Sequence, residues 1–260
     1  MILAADVRNG GVSVGLVSAD GQWLAIIRLS AADRSADEWA FLIRSLFAER
    51  GISLKGITQG ILSSVVPAWT GIFTEVLERF LPQGTACLVV GPGIKTGLRI
   101  RTDNPAEVGS DLVCNAVAAS TLVQMPCIII DFSTTLSFTA LDSRGDLVGV
   151  ALAPGLEAAA SDLRLRAAQI PQVKLEEPER ALGKNTAEAI RAGIMYGWAG
   201  LTDRLVEEIS REIESAGERP TLVGTGWYAG PPVKTQRSFG LWEPQLALQG
   251  LYRIALKNQI

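Results

Sequence analysis

Residues 127–141, CIIIDFSTTLSFTAL, open with an apolar run that ends on Asp131. They pass through a short turn of small hydroxyl residues and return as a second strand-like run from Ser137. Short runs of this kind, bounded by small polar residues, read as buried strands. Residues 2–16, ILAADVRNGGVSVGL, follow the same plan. At one offset of 125 residues, Asp6 falls on Asp131, Asn9 on Thr134 and Leu16 on Leu141. We read this as an internal duplication, giving two α/β domains over residues 1–122 and 123–260. Chance similarity between two short apolar strands is the competing explanation.

Working outward from the two openings, further strands are expected over residues 12–17, 23–29, 57–63, 88–90, 147–152 and 221–225. Asp20-Gly21 supplies a hairpin turn between two of them. Trp39, Leu42, Ile43, Leu46 and Phe47 recur at helical spacing within 37–49. Helices are also expected over 69–80, 107–123, 155–169, 186–214 and 247–257, with a polar loop at 235–240. The helix over 186–214 is rich in Ala and Gly, which permits close approach of another helix, either within the domain or from a second subunit.

Composition narrows the function. Of 260 residues, 48% are hydrophobic and 20% charged, the profile of a compact soluble protein. A net charge of −3 provides no basic field for nucleic acid. The start of the chain lacks the basic and long apolar segments of a signal peptide, and no apolar run is long enough for a membrane span. A cytoplasmic protein is expected. The cysteines, Cys87, Cys114 and Cys127, lie in apolar segments without metal-site spacing. The chain has 0 histidines, so His-based nucleophilic catalysis is excluded and any general base is expected to be Asp or Glu, or else Lys or Tyr.

A strand ending in Asp, then a tight turn of small residues, suits phosphate. The turn N–H groups face the anion, and the carboxylate holds a divalent cation or its waters. Two such turns, with Thr225-Gly226-Trp227 as a later nucleoside turn, match the layout of actin-like kinases. The central run is more specific. Residues 91–119, GPGIKTGLRIRTDNPAEVGSDLVCNAVAA, resemble the corresponding stretch of type III pantothenate kinases. The resemblance also takes in Ser64-Val65-Val66-Pro67, Ala153-Pro154-Gly155, Gly183-Lys184-Asn185-Thr186 and residues 193–200, so it extends over essentially the whole chain.

That resemblance implies an α/β fold of two duplicated actin-like (ribonuclease H-like) domains with an interdomain cleft. It implies ATP with Mg2+ as cofactor, a monovalent cation (K+ or NH4+), and pantothenate as substrate. Asp111 takes the place of the family's general base. Asp6, Asn9, Thr134 and Gly226 fall at ATP or phosphate positions, Asp131 and Asp6 at metal positions, and Gly109 and Thr186 at substrate positions. A same-fold subunit is implied as partner, because the family's substrate pocket lies at a dimer interface.

The departures are specific. Arg8 and Gly10 replace a Gly and a Thr of the first turn, and Ser133 replaces a Gly of the second. Leu112 stands where the family has an Arg that contacts pantothenate, Thr102 where it has an aromatic, and Trp227 where it has a Gly. Arg8 either obstructs a turn that wants Gly or grips phosphate itself. Three readings follow: a kinase active by itself, a subunit that needs an intact paralogue, or an inactive homologue with a binding or regulatory role.

Overall fold

The computed structural model describes residues 1–166, 171, 173–213, 218–228, 232–233, 235 and 238–259. The chain divides into two compact units. Unit 1 comprises Met1–Arg99, Asp103–Thr121 and Gln245–Ile260; unit 2 comprises Ile100–Thr102 and Leu122–Pro244.

Unit 1 holds β1 (Ile2–Arg8), β2 (Gly11–Val17), β3 (Trp23–Ser30), β4 (Gln59–Ser64) and β5 (Leu88–Val89), in the order β3-β2-β1-β4-β5. β1 runs antiparallel to β2 and parallel to β4. Alternation along β1 sends Leu3, Ala5 and Val7 into a core shared with α1 (Ala36–Glu49) and α2 (Pro67–Glu78). Trp39, Ile43, Phe47, Phe73 and Leu77 fill that core. α1 begins where Ser35 and Glu38 cap one another's backbone N–H groups, and α2 begins at a proline in its first turn.

Unit 2 repeats the plan with β6 (Cys127–Phe132), β7 (Thr135–Leu141), β8 (Leu147–Pro154), β9 (Thr221–Gly226) and β10 (Leu241–Trp242). Its order, β10-β9-β6-β7-β8, is the unit 1 order read from the other edge, with the same parallel and antiparallel neighbours. Its core joins Ile128, Ile130, Phe132, Leu136 and Phe138 to Leu156 of α4 (Leu156–Arg166) and Trp198 of α5 (Thr186–Ile213).

The duplication therefore stands at the level of topology, with a correction of register. Leu3 faces Leu16, whereas Ile128 faces Ala140, so Leu16 corresponds to Ala140 rather than to Leu141. The hairpins differ by one residue: Arg8 faces Gly11, while Phe132 faces Leu136.

Two expectations about boundaries also change. The division at 122/123 put residues 245–260 in the second domain. In the structure α6 (Leu246–Lys257) belongs to unit 1 and packs on β1, β2 and β4. The physical reason is a close helix crossing: a Cβ on Gly250 would lie 1.9 Å from Cys114 O of α3 (Ser110–Leu122). α3 itself starts at Ser110 rather than near residue 107, because Asn104 caps a separate 3-10 turn over Pro105–Glu107. The ends of the helices expected over 155–169 and 186–214, and part of the 235–240 loop, lie outside the described residues. Among the described residues, no helix is long and apolar enough to cross a membrane.

Candidate active site

Asp6, Arg8 and Asp111 meet in unit 1. Asp6 and Arg8 are two residues apart on β1, so their side chains leave the same face of the sheet, opposite Ala5 and Val7. Arg8 Nε donates to Asp6 Oδ2 at 2.6 Å, and Arg8 Nη1 lies 3.9 Å from Asp111 Oδ2. The side chains of Asp6, Arg8 and Asp111 are 6%, 11% and 17% exposed, so solvent screens their charges weakly.

Several local features hold Asp111 there. Asp6 is aligned with Ser63 in the β1–β4 pair. Ser63 Oγ and Ser110 Oγ share a hydrogen bond of 3.0 Å. Ser110 Oγ also accepts from Ser64 N at 3.1 Å and donates to Ser64 O at 3.2 Å. These bonds fasten the start of α3 to the end of β4, beside Asp6. Asp111 then occupies the first turn of α3, where the helix dipole favours a carboxylate. Its Oδ1 accepts from Leu112 N at 2.9 Å, and a Cβ at residue 109 would come within 2.7 Å of Oδ1. Gly109 thus makes room for the carboxylate of Asp111.

Behind them Cys114 is fully buried, and burial, followed by the charges of Asp6 and Asp111, pushes its thiol well above the ordinary value. Cys114 is a neutral wall of the site, not a nucleophile. Leu112 is buried on α3. Asn9, expected at phosphate, is exposed at the hairpin tip with Gly10.

Unit 2 builds its own turn around Asp131, which is buried and accepts a hydrogen bond from Ser133 Oγ. Asp131 is aligned with Thr225 in the β6–β9 pair, as Asp6 is with Ser63. The Ser133-Thr134 turn is backed closely on two sides. Gly155 N donates to Thr134 O at 3.0 Å, and a Cβ on Gly155 would fall 2.2 Å from that oxygen. Gly226, at a φ of 120°, would carry a Cβ 2.2 Å from Phe132 O. Trp227 N donates to Phe132 O at 3.3 Å, which ties the turn at Thr225-Gly226-Trp227 to the one after Asp131. Thr134 is exposed, and Thr186 is the exposed first residue of α5.

The first turn fits a divalent ion poorly. Asp6 already carries a guanidinium on Oδ2, while its Oδ1 is buried with no hydrogen-bond partner among the described residues. No group of three or more Asp, Glu, His or Cys among the described residues makes a ready metal cage. Sequence reasoning did not pick out Ser63 and Ser110. The only signal was the pair of serines closing β4 and opening α3, and nothing local says that they meet. It also treated Arg8 as a residue in need of a glycine's conformation, whereas Arg8 ends β1 as ordinary strand.

Comparisons with known proteins find relatives along the chain. The family model described as type III pantothenate kinase matches residues 2–208. A type III pantothenate kinase of Moorella thermoacetica is 38% identical over 260 residues, covering 99% of this chain and 100% of the relative. One of Dehalococcoides mccartyi is 37% identical over 259 residues, covering 99% and 98%. Among solved structures, a conserved Baf-family protein from Campylobacter jejuni superposes with a TM-score of 0.59 at 14% identity, covering 98% of each chain. The activator of the 2-hydroxyisocaproyl-CoA dehydratase from Clostridium difficile, solved with bound ADPNP, superposes with a TM-score of 0.50 at 11% identity, covering 98% and 93%. The structural likenesses show the shared two-domain actin-like fold. The match to family model and relatives along the chain shows that it belongs to the type III pantothenate kinase family.

Proposed function

We infer that the chain phosphorylates pantothenate with ATP, as the first step toward coenzyme A, and that Asp111 is the general base. The observation carrying this reading is the seat of Asp111: first turn of α3, fastened to β4 by Ser110, with Gly109 leaving space for its carboxylate. Asp111 takes the proton of the pantothenate hydroxyl as its oxygen bonds to the γ-phosphorus, and the bond from that phosphorus to the β–γ bridging oxygen breaks to release ADP. Phosphoryl transfer gains most of its rate from positioning and charge neutralisation. Thr134, Gly226, Asn9 and Asp6 are assigned to ATP and its phosphates, Asp131 to the divalent ion, and Gly109 and Thr186 to pantothenate. Bound Mg2+ would neutralise charge on the β- and γ-phosphates. K+ or NH4+ is assigned as an activating monovalent ion, tested by activity in sodium-only against potassium buffer.

Leu112 offers no cation to the pantothenate carboxylate, so a raised KM for pantothenate is expected. The direct experiment is ATP-dependent formation of phosphopantothenate by the purified chain. Turnover that vanishes in Asp111→Asn supports the assignment; unimpaired turnover in that variant removes Asp111 as base.

A second reading concerns assembly. Gly193, Gly197 and Gly200 on α5 have open space where a Cβ would stand, and Tyr196 between them is half exposed. Packing among the described residues does not explain that stripe. It suits a same-fold subunit, either a second copy or an intact paralogue in whose company the chain is active. Sedimentation of the pure chain, and assay with and without the co-expressed paralogue, separate a homodimer from a heteromer.

A further inference from the structure

The residue that departs most from the expected phosphate turn is also the one that binds both candidate-site carboxylates of unit 1. Arg8 stands 2.6 Å from Asp6 Oδ2 and 3.9 Å from Asp111 Oδ2. Two poorly solvated carboxylates meeting at one point need a cation between them. An inorganic divalent ion would want about six oxygens around it. Asp6 offers it little: Oδ2 is taken by the guanidinium, and Oδ1 lies buried beside a fixed positive charge. The carboxylate of Asp6 and a metal ion therefore do not fit together while Arg8 is in place.

We propose that Arg8 is a tethered cation that takes the place of an inorganic ion at Asp6 and holds Asp111 Oδ2 in position. The divalent ion of this chain then arrives on the nucleotide phosphates or at Asp131, and not at Asp6. Arg suits the role better than Lys, because its planar fork reaches two carboxylates at once and stays charged at every working pH. Arg8 is accordingly a positioning residue. The proposal rests on reading Asp6 and Asp111 as site residues under the proposed function, but its test needs no turnover.

The test counts Mn2+ bound to the full-length chain without nucleotide, by the electron-resonance signal of free Mn2+. Four proteins are compared: the unchanged chain, Asp6→Asn, Arg8→Gly and the double variant. Asp6→Asn is expected to leave the Mn2+ count of the unchanged chain as it is. Arg8→Gly is expected to gain one equivalent, and adding Asp6→Asn to it is expected to remove that equivalent. Loss of a Mn2+ site in Asp6→Asn alone overturns the proposal, as does an Arg8→Gly chain that folds and gains none. Should Arg8→Gly fail to fold, Arg8→Gln provides the same comparison, because it removes the charge and keeps the side chain's volume. An inactive chain with this Mn2+ pattern would sink the kinase assignment and leave the role of Arg8 intact.

Discussion

Asp111 and its neighbours set the residue scale. Asp111→Asn keeps the shape of the carboxylate, including the acceptor for Leu112 N, and removes the charge that takes the proton under the proposed function. Turnover is expected to fall by at least about 100-fold, the lower range for a general base, with the melting temperature shifting little. Steady-state kinetics beside a thermal melt checks both. The buried thiols provide a second prediction. Burial pushes Cys87 and Cys127 up to about 12 from the ordinary 9.0, and Cys114 is raised as well. The folded chain holds these protons more tightly than the unfolded one, so stability is complete below about pH 9 and falls as pH rises toward 12. Chemical denaturation at pH 7, 9 and 10.5 should show that decline. No thiol is expected to react quickly with a disulfide reagent until denaturant is added.

At the scale of elements, the site depends on how strand ends meet helix starts. Ser110 is the fastener between β4 and α3, engaging Ser63 and Ser64 together. Ser110→Ala removes these bonds and leaves Ser64 N to find another acceptor. A loss of about 1–3 kcal/mol is expected, with a lowered kcat because Asp111 loses its anchor. Urea titration and kinetics measure the two effects. Gly226 has a different role, since it combines a positive φ with contact against Phe132. Gly226→Ala is expected to cost roughly 3 kcal/mol or more from backbone strain and overlap, read in the same titration. Much of the element plan was legible, because hydrophobic period and turn residues are local signals: β1, β2, β3, α1 and α6 fall close to where spacing placed them. β10 had no legible signal, since two residues, Leu241 and Trp242, give no periodicity.

For the whole molecule, the structure moves residues 245–260 from the expected second domain into unit 1. α6 arrives from the far end of the chain to cover β1, β2 and β4, and it presses Gly250 against Cys114. A chain ending at Pro244 is therefore expected to lose the folding of unit 1. Such a truncation should bind a hydrophobic dye and lose the upper part of its thermal transition; a truncated protein melting like the full chain would contradict this account of α6. The sheet orders show the duplication that the two Asp-ended strands had suggested, while the slip of one residue between Leu16 and Ala140 appears only in the strand pairing.

By itself the sequence determined most of the strands and helices, the duplicated opening, the absence of histidine chemistry and the family resemblance around residues 91–119, because each is written in residue type and local spacing. Only the tertiary structure decided that Arg8 lies on Asp6 and near Asp111, that Ser110 fastens α3 to β4, and that α6 belongs to the first unit. Apart from the Arg8–Asp6 pair, whose residues are two apart on β1, these are contacts between segments tens to hundreds of residues apart. Their partners are chosen by which faces pack together, and no local pattern in the chain encodes that choice.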